Sequence, residues 1–178
     1  YKKALKIKPN YANAACNLAF LYRELTDTQQ AEKYYLHTLN LDNHHFDAID
    51  GLATLAMDRG SSDKAINLYL SAIDLHPKSE KAYVKLSAAL KYVRFTKQHP
   101  RLLKAMETLL DRSTSCRPKA ISGAIVSLLK LDPVISDVLV NNKVILERIN
   151  IDWINDCSKK LSILKKLMRL SVIPDPSI

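Results

Sequence analysis

A 34-residue repeat runs through the first half of the chain and constrains its fold more than any other feature. Shifted by that distance, the sequence overlays itself. Tyr1, Tyr35 and Tyr69 share one position, Ala4, Thr38 and Ala72 a second, and Ile7, Leu41 and Leu75 a third. Pro9, Asn43 and Pro77 follow, then Ala14, Ala48 and Ala82, then Leu18, Leu52 and Leu86, with Ala31 and Ala65 as a further pair. Self-similarity at such a period marks stacked units, none of which buries its apolar face alone.

Each unit reads as two helices. In the first, Tyr11 to about Leu25 is apolar at Ala15, Leu18, Ala19 and Tyr22, the spacing of one helix face. A polar turn, Thr26-Asp27-Thr28, offers Asp27 or Thr28 as an N-cap. A second helix then runs from Gln29 to Leu41. The next unit predicts a helix from about Phe46 to Asp58, a turn at Arg59-Gly60-Ser61-Ser62, and a helix from Asp63 to Leu75. Gly60 suits the left-handed residue that ends a helix. Pro77 ends the hairpin, because the residue before a proline avoids the α region. Ser79 is placed to cap a third first-helix from Glu80 to about Arg94. The small positions let helices approach closely, while Tyr22, Tyr35 and Tyr69 fill the space between hairpins. With only 3 Gly and 7 Pro in 178 residues, turn-rich β folds are disfavoured, and the expected class is all-α.

The pattern resembles the tetratricopeptide repeat family. Leu18, Ala19 and Tyr22 stand at its leucine, small and tyrosine positions. Ala31 and Ala65 stand at its small position in the second helix, Tyr35 and Tyr69 at its aromatic position, and Pro9 and Pro77 at its closing proline. The chain departs from it at the tryptophan position, which holds Ala15, Ile49 and Tyr83, and at Asn43, where proline would close the middle unit. The resemblance covers residues 1–95 and implies a right-handed α-α superhelix that binds other proteins. It divides them into a half repeat at 1–11, repeats at 12–45 and 46–79, and a divergent repeat from 80. Tyr1 to Asn10 is then the second helix of a repeat, so the chain is expected to begin inside a longer protein.

After Arg94 the period fails, and residues 96–178 are expected to form a divergent helical cap on the solenoid. Helices are predicted from Arg101 to Asp111 and from Pro118 to Leu131. Others are predicted from Asp132-Pro133 to Val140, near Lys143 to Ile149, and from Asp152 to about Leu170. Two segments, Arg94 to Leu110 and Leu128 to Pro176, resemble the helical extension of bacterial tetratricopeptide proteins fused to methyltransferase-like domains. That resemblance implies an alternative role, the substrate-recruiting arm of a larger transferase whose catalytic domain lies outside this chain.

Charge and cysteines limit the other classes. The formal charge is +9; residues 1–95 carry 13 basic and 10 acidic side chains, and residues 96–178 carry 14 and 8. The basic residues are scattered and lack the aromatic pattern that stacks bases, so nucleic acid is a disfavoured partner. Cys16, Cys116 and Cys157 form no CxxC pair, which speaks against a zinc or redox motif and for reduced thiols in the cytoplasm. No apolar run is long enough to span a membrane. There is no HExxH, nucleophile elbow or Gly-rich nucleotide loop, so no catalytic residue, metal or cofactor is expected within this chain. His44 and His45 fall in an inter-repeat turn expected to face solvent.

Binding is therefore sought on the concave face. By the family's geometry, repeat positions 2, 5, 6 and 9 of each first helix project there. They are Asn13, Cys16, Asn17 and Phe20, then Asp47, Asp50, Gly51 and Thr54, then Lys81, Val84, Lys85 and Ala88. Lys81 and Lys85 match two places of the carboxylate clamp found in some family members. Cys16, Phe20 and Gly51 leave that clamp incomplete. Asn17 matches an asparagine that related sugar-transferase arms use to hold peptide backbone. The candidate groove residues are thus Asn13, Asn17, Phe20, Asp47, Asp50, Thr54, Lys81 and Lys85. The expected partner is a protein or peptide, with asparagines holding its backbone, the lysines meeting an acidic group and the aspartates a basic one.

Overall fold

The computed structural model describes residues 1–112 and 117–133, together with 136, 162, 163, 165, 166 and 169. Among them the regular structure is entirely helical. In chain order the elements are α1 (Lys2–Ile7), α2 (Ala12–Glu24), α3 (Thr28–Leu41), α4 (Phe46–Asp58), α5 (Ser62–Leu75), α6 (Glu80–Leu90), α7 (Pro100–Asp111) and α8 (Pro118–Lys130). The chain divides into two compact units, Tyr1–Ala89 and Leu90–Ile178.

In the first unit, α2 packs on α3 and α4 on α5, and α3 packs on α4 to join one hairpin to the next. Small residues line these contacts: Ala15, Ala19, Ala31, Ala48, Ala53, Ala65 and Ala72 are fully buried. Tyr35 and Tyr69 fill the spaces that remain, and both are buried. Thr38 occupies the position that holds Ala72 one period later. It is buried too, and its hydroxyl donates back to the Tyr34 carbonyl at 2.8 Å, so the substitution leaves no polar group unsatisfied.

The two inter-helix turns adopt the same geometry from different residues. After α4, the Gly60 N–H donates to the Met57 carbonyl and the Ser61 N–H to the Ala56 carbonyl, with Gly60 at φ +72° as expected. After α2, the Thr26 N–H donates to Arg23 and the Asp27 N–H to Tyr22, and Thr26 takes φ +62°. Thr26 and Gly60 are one period apart. A β-branched residue there is strained, because its Cβ crowds the backbone. Of the two N-cap candidates at this turn it is Asp27 that acts, its Oδ1 accepting from the Gln30 N–H at 3.1 Å. Ser79 likewise accepts from the Ala82 N–H, at 3.4 Å.

One helix stops short. α6 ends at Leu90 rather than near Arg94. Within the second unit, Phe95 is buried and its N–H donates to Ser127 Oγ of α8 at 3.0 Å, a bond that a continued helix could not make. α7 packs on α8, and the apolar faces of both are buried, with Leu102, Met106, Ile121 and Ile125 fully so. Gly123 gives the Arg94 guanidinium room against α8, since a Cβ there would fall 2.3 Å from it. Asp132 and Pro133 follow the α8 C-cap Leu131, and the Ser136 N–H donates to the Asp132 carbonyl at 2.8 Å, the first turn of the predicted next helix. The helix expected near Lys143 to Ile149, and most of the segment that carries the transferase resemblance, lie outside the described residues. Residues 162, 163, 165, 166 and 169 are helical.

Candidate functional site

The concave-face residues of α2 and the start of α4 come together around one cleft of about 580 Å³. Asn13, Asn17 and Phe20 line it from α2, and Asp47, Asp50 and Gly51 from α4, with Cys16 and Tyr35 at the buried floor. The floor depends on a missing side chain. A Cβ at Gly51 would sit 2.2 Å from the Tyr35 ring, so only glycine lets that ring lie flat against α4. Cys16 is inert here: burial, assisted by the nearby Asp47 charge, pushes its thiol up to about 11, and a thiol protonated at neutral pH is a poor nucleophile.

The rim is polar. His45 is only partly exposed, in contrast to the solvent-facing position expected for it. Its imidazole is drawn toward α2, where Nε2 donates to Asn13 Oδ1 at 2.9 Å. Its Nδ1 is inaccessible and has no hydrogen-bond partner among the described residues. Asn17 is exposed and makes no side-chain hydrogen bond among the described residues. Phe20 is 47% exposed and carries the Arg23 guanidinium over its ring at 4.9 Å.

Toward α6, the charged candidates pair with one another. Lys81 Nζ lies 2.6 Å from Asp47 Oδ1 and over the Phe46 ring at 4.6 Å. Lys85 Nζ lies 2.8 Å from Asp50 Oδ2, and the Tyr69 hydroxyl donates to the other Asp50 oxygen at 2.8 Å. The Lys81 ammonium holds the Asp47 carboxyl below the usual carboxylate range. Burial and then the Asp50 hydrogen bond raise the Tyr69 hydroxyl. Thr54, Lys81 and Lys85 do not line the cleft. The Thr54 hydroxyl is turned inward to the Asp50 carbonyl at 2.8 Å.

Tyr11, Arg23, Tyr35 and His45 were not among the candidates drawn from repeat positions, yet they line the cleft. Arg23 had a legible signal: it stands three residues beyond Phe20 and six beyond Asn17, on the same face of one helix. Among the described residues, no helix is long and apolar enough to cross a membrane.

Comparison with known proteins places these features. Residues 1–33 match a tetratricopeptide repeat family model. The uncharacterized protein ycf37 of Pyropia yezoensis is 49% identical over 45 residues, which are 24% of this chain and 25% of that protein. A solved tetratricopeptide protein, YrrB, described as having an unusual peptide-binding site, aligns at 18% identity with a TM-score of 0.46. The alignment covers 99% of this chain and 93% of that one. The 34-residue period and the paired helices with their small-residue contacts run through Tyr1–Ala89, so the likeness to tetratricopeptide repeats extends past the matched residues 1–33.

Proposed function

We propose that this array is a protein-interaction scaffold and that the cleft between α2 and α4 holds an extended segment of a partner. One observation carries the reading: Asn13, Asn17, Phe20, Asp47 and Asp50, all candidates from repeat position alone, line a single cleft. An extended peptide offers an N–H and a C=O at every residue. The Asn17 amide supplies both a donor and an acceptor to meet them, and neither is engaged within the described chain. The exposed Phe20 ring gives an apolar side chain of the partner a surface to cover.

The four charged candidates take a different part. Asp47 with Lys81, and Asp50 with Lys85, neutralise one another across α4 and α6. A charged ligand group reaching them competes with pairs worth roughly 0–1 kcal/mol each. They therefore act as an exchangeable boundary of the groove rather than as open anchors.

The test is a binding screen of the whole chain against an array of random peptides, repeated with Asn17→Ala combined with Phe20→Ala. The expected outcome is at least a tenfold loss for most binders, with the melting temperature unchanged. A variant that binds the same peptides equally well removes the groove assignment.

A further inference from the structure

One side of the cleft presents a row of hydrogen-bond donors. Asn13, Asn17, Phe20 and Arg23 follow one another at intervals of four, three and three residues, a single stripe along α2. The Asn13 oxygen is occupied by His45, which leaves the amide N–H groups. The whole Asn17 amide is open. The Arg23 guanidinium has five N–H donors, and its one carboxylate partner is the exposed neighbour Glu24, at 3.3 Å. Exposed pairs of this kind hold weakly. Among the carboxylate acceptors of the cleft, one Asp47 oxygen accepts from Lys81, and the two Asp50 oxygens are taken by Lys85 and Tyr69.

Charge follows the same pattern. The two aspartates that line the cleft are paired with lysines outside the lining, and Arg23 is the fixed cation among the lining residues. Its guanidinium is oriented rather than free, because it rests on the Phe20 ring at 4.9 Å. At the floor, burial raises the Tyr35 hydroxyl, and the Arg23 charge opposes that rise.

We infer that the segment held in this cleft carries an aspartate or glutamate side chain, received by the Arg23 guanidinium beside the Asn13 and Asn17 amides. The inference rests on the groove reading above and adds the chemistry of the partner. A carboxylate matches the planar fork of a guanidinium and accepts up to four hydrogen bonds, which uses the open donors of α2. A lysine-bearing or purely apolar segment would leave them unpaired.

The experiment screens the whole chain against random peptides acetylated at the N-terminus and amidated at the C-terminus, so that side chains supply the only carboxylates. Binders enriched in Asp or Glu are expected. Each should weaken about tenfold when its acid is replaced by the matching amide, and by a similar factor with Arg23→Gln. Arg23→Glu should turn the preference toward lysine. Unchanged melting curves confirm that both variants fold, as the partial exposure of Arg23 allows. If acids are not enriched, or Arg23→Gln changes nothing while Asn17→Ala with Phe20→Ala still abolishes binding, the acidic inference falls and the groove stands. If that double variant leaves binding intact, the groove reading falls as well.

Discussion

The repeats at 12–45 and 46–79 share a period and a fold but solve the same positions with different residues. Asn17 in the first corresponds to Gly51 in the second, Thr26 to Gly60, and Glu32 to Ile66. Asn17 is exposed with a free amide, whereas Gly51 is buried because the Tyr35 ring takes the space of its side chain. Thr26 bears the strain that Gly60 avoids. Glu32 reaches two cations of the following hairpin, Arg59 at 2.5 Å and Lys64 at 3.3 Å, where Ile66 is fully buried. In each pair the backbone demands one geometry, while the side chain differs in packing, exposure or charge from one repeat to the next. A repeated architecture can thus persist while the exposed polar groups change from unit to unit.

The largest expected effect comes from breaking the first pair. Glycine to alanine within a helix normally gains up to about 1 kcal/mol from propensity. Gly51→Ala should instead destabilise by about 1–3 kcal/mol, the usual cost of forcing a methyl group into a filled core. Denaturant unfolding measures it, and most of the loss should vanish in a Tyr35→Leu background, which frees the space. Asn17→Ala should be close to neutral for stability. Equal effects at the two positions would erase the distinction between them.

The second pair should respond in opposite directions. Thr26→Gly relieves a left-handed β-branched residue and should raise stability by about 1 kcal/mol, while Gly60→Thr should lower it by about 1–2 kcal/mol. Melting temperatures of the two single variants test this directly. A loss in both would mean that Thr26 is held by contacts outweighing its strain.

The smallest effect sharpens the third pair. The Arg59 guanidinium, followed by Lys64, holds the Glu32 carboxyl below the usual range. On acidification the unfolded chain therefore binds this proton first. The stabilisation is complete above the unfolded value, near pH 4.3, and is lost as pH falls through the lower folded one. The groups are partly exposed, so the contribution should stay under about 1 kcal/mol. Glu32→Gln should flatten the stability profile between about pH 3 and 5 and leave the difference at neutral pH as the measured worth of the pair.

Much of this architecture was legible before the structure. Apolar spacing located α4 to the residue, and α3 and α5 to within one. Those helices are set by local periodicity and by turn residues, both carried in short windows of sequence. The left-handed Thr26 was not read, because its chemistry argues against that conformation; its alignment with Gly60 was the available clue. The early end of α6 reflects a distant partner, Ser127, which no local pattern encodes. Asn13, Asn17 and Phe20, which share a face by repeat position, lie beside one cleft, since helix geometry alone decides that. The pairing of Lys81 with Asp47, one full period apart, was not foreseen. Helical phase tells which way a side chain leaves the backbone, but not whether a neighbouring helix already satisfies it.

The contact of Tyr35 with Gly51 also bears on how freely such modules can be rearranged. One repeat supplies the ring and the next supplies the gap, so the joint has a direction. With the two modules exchanged in order, Tyr69 would press against Asn17, which brings a side chain where a gap is needed. The order of these units is thus written into their joint, and a gene rearrangement that preserved every helix could still yield a chain that does not assemble.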